Sequence, residues 1–263
     1  MSLPNVAEVR QRIEQIREES FRNLLKSAYL FCARVGEVIA YTYASDYTAG
    51  TTGHKLTARE TSYTPNIEDS GTVGTLMMIA LAEGRDLTLQ QIAKIKEPVA
   101  LFHVWTEKRK GLKRIGTRRD IALPLNPNFE PWTKELFEYF QKQQVAKQPI
   151  FPFYRRKVHA LSRQVFEGLS VKITHYRKTL PELDLKGKHL MKMIPEHTKP
   201  FTVHSLRKIR ENELRRNYRF DAFEISAYGG WTMQTMAGTS SALAHYDVLP
   251  WEDYFPKLLR KRA

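Results

Sequence analysis

The stretch FRNLLKSAYLFCARVGEVIA at residues 21–40 constrains the fold more than any other part of the chain. Leu24, Leu25, Tyr29, Leu30, Val35, Val38 and Ile39 recur at helical spacing, so the segment is expected to bury one side of a helix. The run Arg34-Val35-Gly36 interrupts the pattern, and a break or tight turn is expected there. Arg34 stands among apolar neighbours. Its cationic head has to reach an anion or water, because a buried cation without a partner is strongly destabilising. A salt bridge to Glu37, three residues on, is the plain alternative to an external anion.

The rest of the chain reads as short elements. Residues 6–19 predict a helix with Val6, Val9, Ile13 and Ile16 along one side. Residues 41–72 are rich in Thr, Ser, Tyr and Gly without a clear period and read as loop or irregular hairpins. Short helices are expected at 73–82 and 87–96. PVALFHVW at 98–105 and DIALPL at 120–125 then read as two strands of a hairpin, followed by helices at 131–144, 156–169 and 206–216. No internal repeat or low-complexity tract is present. The expected fold class is α+β, mainly α-helical, with a small antiparallel sheet.

Charge is distributed unevenly. Residues 1–100 carry 11 Lys or Arg and 12 Asp or Glu, whereas residues 101–263 carry 31 and 16. The net charge of +14 therefore belongs to the later part, and a polyanionic partner is expected there. Between the two predicted strands lies TEKRKGLKRIGTRR, with seven basic residues and one Glu: a hairpin with a cationic tip that fits the phosphates of double-stranded DNA. A solvated basic loop is the bland reading of the same run. A single cysteine, Cys32, excludes an internal disulfide and a multi-thiolate zinc site. The first 20 residues lack the apolar centre of a secretory signal, and the most apolar window, LMMIALA at 76–82, is too short to cross a bilayer. A cytoplasmic protein with no membrane partner is expected.

Three patches combine a cation or imidazole with a turn-like context. They are Arg34, Lys108 beside the hairpin tip, and His204-Ser-Leu-Arg207, where an offset of three puts both side chains on one side of a helix that Thr202 can cap. Gly229-Gly230-Trp231-Thr232 follows, and then Ser240-Ser241-Ala-Leu-Ala-His245-Tyr246. On composition alone Trp231 also reads as a packed core residue. His103 and His159 have no metal-like spacing, and no metal is expected.

In this order the motifs resemble the catalytic domain of the tyrosine recombinases, the phage-type integrases, from about residue 21 onward. CARVGEVIA is similar to the family's first arginine box, HSLRK to its His-x-x-Arg box and GGWT to its glycine-plus-His/Trp box. By position Lys108 matches the hairpin lysine and Tyr246 the nucleophile. The resemblance implies the DNA breaking-rejoining fold and cofactor-free chemistry. Arg34 and Arg207 would clamp the scissile phosphate through their planar forks, and Trp231 would donate its indole N–H or pack against the site. His204 would assist proton transfer, Lys108 would protonate the departing 5′ hydroxyl, and Tyr246 would form a 3′-phosphotyrosyl link. Arg109, Lys110, Lys113, Arg114, Arg118 and Arg119 would contact DNA.

Tyr246 lies 15 positions beyond Trp231, a longer gap than the family usually shows, so Tyr254 and Tyr228 compete with it. Tyr254, in WEDYFPKLL, reads as a core residue. The resemblance makes residues 1–263 a single catalytic domain, with an N-terminal helix in 1–20, an insertion at 41–97 and no separate N-terminal core-binding domain. It also implies a tetramer on paired DNA sites, with residues 251–263 docking onto a neighbour. Two other functions fit the same residues: a catalytically silent DNA-binding accessory protein with this fold, and a relaxase resembling the type IB topoisomerases.

Overall fold

The computed structural model describes residues 3–39, 56–106, 117–173, 176–183, 189–194, 196–230 and 249–261. Helix α1 (Val6–Glu14) starts where the Asn5 side chain accepts the Ala7 N–H, and it buries Val9 and Ile13, one turn apart. The single helix expected over 6–19 ends early. Arg22 donates to the Ile16 carbonyl at 2.8 Å, and helix α2 (Glu19–Leu30) begins as a separate element.

Helix α2 is the centre of the molecule, with every residue from Asn23 to Leu30 buried. Burial includes Lys26, whose ammonium lies 3.0 Å from Glu14 and 2.6 Å from Glu135. The break comes slightly earlier than the sequence suggests. It falls at Phe31 to Arg34, where Cys32 takes a left-handed φ of 50° and the Ala33 N–H returns to the Ala28 carbonyl. Only then does α3 (Val35–Ile39) start.

The sheet is antiparallel with order β1-β2-β3, built from β1 (Thr57–Tyr63), β2 (Glu97–Thr106) and β3 (Thr117–Pro124). The expected hairpin is present, in a register pairing Val99 with Pro124 and Thr106 with Thr117; residues 107–116 lie outside the described residues. The loop expected over 41–72 is corrected in part, because 57–63 is an edge strand. Its TARETSY sequence hides this, since an edge strand needs little apolar character when its outer face meets water. Its outer backbone is covered. Gln144 accepts the Ala58 N–H at 2.7 Å, and Gln141 and Gln144 donate to the Ala58 carbonyl.

Helices α4 (Ser70–Ala82) and α5 (Leu89–Ala93) complete the stretch before β2. Within the stretch 41–97 expected as an insertion, Tyr63, Val73, Leu76 and Ile92 belong to the same core as α2. Helix α6 (Trp132–Val145) covers the sheet, and Phe31, Phe102 and Phe140 form its aromatic contact. After α7 (Arg155–Val165) come four short strands the sequence did not reveal. They are β4 (Ser170–Ile173) paired with β7 (His197–Pro200), and β5 (Tyr176–Leu183) paired with β6 (His189–Ile194).

Helix α8 (Val203–Arg216) packs on α2. Behind it lies a buried ionic network: Arg210 meets Glu213 at 2.6 Å and Glu130 at 3.7 Å, Tyr29 donates to Glu213, and Arg10 donates to both oxygens of Glu130. Helix α9 (Ala222–Gly229) is capped by Asp221 and stops at Gly230, whose φ of 66° suits glycine. Helix α10 (Trp251–Leu258) buries Tyr254, Phe255 and Leu258 in the core of its own chain, against α4 and β3.

The described residues form a mainly helical α+β fold with small antiparallel sheets. Among them no helix is long and apolar enough to cross a membrane.

Candidate active site

Arg34 and Glu37 form the first part of the site because the chain breaks at the start of α3. Three residues apart at a helix N-terminus, the Glu37 carboxylate can turn back to the Arg34 N–H, which it accepts at 3.0 Å. The Arg34 guanidinium meets the other carboxylate oxygen at 2.8 Å. The plain alternative foreseen for Arg34, a local salt bridge, is therefore present. It is not the whole arrangement.

Two more guanidiniums reach the same buried carboxylate. Arg119 of β3 donates to Glu37 Oε2 at 3.3 Å, and Arg207 of α8 lies 3.6 Å from that oxygen. Arg119 and Arg207 also share the Gly229 carbonyl at the end of α9, at 2.7 and 3.0 Å, and Arg119 donates to the Phe31 carbonyl. Thus the start of α3, the helix carrying His204 and Arg207, strand β3 and Gly229 at the end of α9 meet at one place. The geometry corrects the assignment of Arg119 to the DNA-facing hairpin surface, because its side chain is only 4% exposed and points inward. Strand alternation held the signal: Arg119 shares a face with Ile121 and Leu123, both fully buried.

Charge explains what this cluster can do. Opposite charges about 4 Å apart attract by about 4 kcal/mol at an effective dielectric near 20. Among the described residues, three guanidiniums lie within 4 Å of the one Glu37 carboxylate. Burial pushes the Glu37 carboxyl up, but Arg119, Arg207, the Arg34 N–H and the Arg34 guanidinium outweigh it and hold it below the ordinary carboxylate range. Its stabilising contribution is complete at neutral pH and is lost as acid protonates it. Burial brings Arg207 down to about 10, against the raising influence of Cys32 and Glu37, so it remains a cation at neutral pH. Guanidiniums gathered at one place can bind an anion, above all a phosphate with several oxygens. Arg34 is the member with access, its side chain 28% exposed.

His204 stands at the exposed N-terminal end of α8, where the Thr202 N–H is taken by Ser205 Oγ. Desolvation, then Arg207, Lys208 and Arg34, lower its pKa, and Glu37 alone opposes them. The imidazole is therefore neutral at pH 7 and able to accept a proton. The expected NMR titration midpoint of His204 lies below that of an unperturbed histidine, falls further in E37Q and rises in R207M. An unchanged midpoint in both variants would separate His204 from the cluster.

Lys108, Arg109, Lys110, Lys113, Arg114, Trp231 and Tyr246 lie outside the described residues, and of Arg118 only the backbone pairing with Trp105 is described. The competing tyrosines are both buried. Tyr228 is raised to about 12 by burial and donates to the Leu30 carbonyl. Tyr254 is raised further by burial and donates to the Asp120 carbonyl. Neither hydroxyl is placed to attack a phosphate of a duplex. His103 is occupied with Asp120, its strand partner, at 2.6 Å.

The sequence reading missed Cys32 as part of this neighbourhood. Its thiol donates to the Arg207 carbonyl, and burial pushes it up to about 11. Among the described residues no group of three or more His, Cys, Asp or Glu could hold a metal ion. No family model matches the chain, and no curated protein and no solved structure matches it.

Proposed function

We propose that this chain cleaves and rejoins double-stranded DNA in the manner of a tyrosine recombinase. The observation that supports the reading most is the meeting of Arg34 and Arg207, distant in sequence, on Glu37 with His204 beside them. Breaking a phosphodiester requires donors for the charge that grows on its non-bridging oxygens, and paired guanidiniums supply them. In this reading Tyr246 attacks phosphorus and becomes linked to the 3′ phosphate. Its proton passes to His204 or water, and the 5′ oxygen leaves with a proton from Lys108. The bond energy kept in the phosphotyrosyl ester lets a second 5′ hydroxyl reverse the step. Exchange between two duplexes takes a tetramer of this protein on paired sites.

The test is a pool of nicked duplexes of randomised sequence in which the severed strand diffuses away. The expected result is a detergent-resistant protein–DNA adduct, absent with Tyr246→Phe. Binding without any adduct would favour the accessory DNA-binding function, and relaxation of supercoiled plasmid without sequence preference would favour the relaxase. Replacing Arg109, Lys113 and Arg114 with glutamine should reduce the slope of log affinity against log salt by about three, since each phosphate contact contributes about 0.9. An unchanged slope would put DNA on another face.

A further inference from the structure

The most apolar window of the chain, residues 76–82, is covered on one side only. Leu76 and Ala80 are buried, while Met78 and Leu81 are about two-thirds exposed. On the exposed side, Gly74, Met78 and Ala82 follow one another at one-turn spacing along α4 and form one wall of a groove of about 610 Å³. The facing wall is cationic, with Arg219 in the turn after α8 and Lys257 and Arg260 at the end of α10. No Asp or Glu stands among the described residues that line it. Lys257 is held at the edge by Glu224 at 2.7 Å, and Arg260 by the Asn217 carbonyl. Two positions in this groove run against local propensity. Gly74 lies inside a helix, where glycine is a poor choice, and a Cβ added there meets nothing within 4 Å, so packing does not require it. Arg219 is the reverse: its φ of 60° is the left-handed backbone that favours glycine, yet it carries an exposed guanidinium. Space is kept on the apolar wall, and a cation is kept on the other.

We propose that this groove docks an acidic amphipathic helix of a partner protein, with its apolar face on α4 and its carboxylates toward Arg219, Lys257 and Arg260. The inference goes beyond the strand-transfer reading and does not rest on it. Charge complementarity selects the occupant. An apolar wall facing a cationic wall matches a ligand with an apolar stripe and carboxylates beside it, which an amphipathic helix presents at offsets of three and four. A second copy of this chain, with a net charge of +14, would bring like charge to the cationic wall. Shape argues against a lipid surface, because a bilayer takes up residues that project, whereas a groove takes up a convex partner.

The experiment selects peptides of about 16 residues, a little over four helical turns, from a displayed random library on the intact chain at about 150 mM salt. The selected peptides should combine Leu, Phe or Met at helical spacing with neighbouring Asp or Glu, and an unenriched pool would overturn the proposal. Their affinities are then measured by fluorescence anisotropy for wild type, G74F and R219G. G74F fills the groove and keeps every cation, and it should bind at least ~10-fold more weakly. R219G suits its turn and removes one cation, and it should bind about fivefold more weakly. Both variants should unfold no earlier than wild type, since each substitution agrees with the local backbone. Equal binding by G74F would reduce the effect to general attraction between a basic protein and acidic peptides, and would overturn the proposal. Should G74F not fold, unchanged affinity in R219G would overturn it alone. Sedimentation of the wild type as a dimer that G74F dissociates would give the groove to a second copy. Binding to phosphatidylcholine vesicles with about one-third phosphatidylserine, lost in M78E, would give it to a lipid surface. Either result would also overturn the proposal.

Discussion

Replacing Arg207 with alanine should slow strand cleavage by about a thousandfold or more while weakening DNA binding by less than about tenfold. The asymmetry follows from where the residue works. On the proposed function, ground-state DNA would be held by many phosphate contacts along the basic surface, and losing one of them would change affinity little. The charge that builds on the scissile phosphate meets only the groups aimed at it. Arg207 is 3% exposed and fixed by the Gly229 carbonyl, so it loses no freedom when the reaction begins. Single-turnover cleavage and equilibrium binding on one duplex measure the two effects. An equal loss in both would make Arg207 a general DNA contact.

The largest effect on stability is expected behind the site. Arg210→Met removes the cation that lies between Glu213 and Glu130 in a region sealed from water, Arg210 being 1% exposed. Removing one partner of a buried pair leaves a charge without compensation, which costs about 3–5 kcal/mol. Tyr29 and Arg10 still serve the two carboxylates, so the lower half of that range is expected, with a fall in unfolding midpoint of about 10 °C. Lys142→Ala is the matching control. Its contact with Glu19 is 3.7 Å long and exposed on both sides, and its loss should change stability by less than about 0.5 kcal/mol. Thermal unfolding of the three proteins decides the matter, and equal midpoints would mean that α8 is held by apolar packing alone.

Much of the secondary structure could be read from periodicity, and the exceptions share a cause. Helices α2 and α6 and the β2–β3 hairpin bury wide apolar faces, which leaves a repeat in the sequence. Strand β1 and the four strands between 170 and 200 are paired only in two- or three-stranded sheets, and their sequences carry no clear alternation of apolar and polar residues. Helix α4 shows the reverse: it is apolar on nearly every side, yet Met78 and Leu81 are about two-thirds exposed.

The sequence by itself determined that Arg34 needs an anion, that His204 and Arg207 share one side of a helix, and that a basic hairpin lies between them in the chain. These are local facts, governed by spacing within one helix or one turn. Only the tertiary structure decided that Arg34, Arg119 and Arg207 meet on Glu37, that Tyr228 is a core residue, and that the Tyr228 and Tyr254 hydroxyls donate to backbone carbonyls. Convergence of α3, β3, α8 and α9 depends on which buried faces pack together. That is a property of the whole core and leaves no mark at any single position.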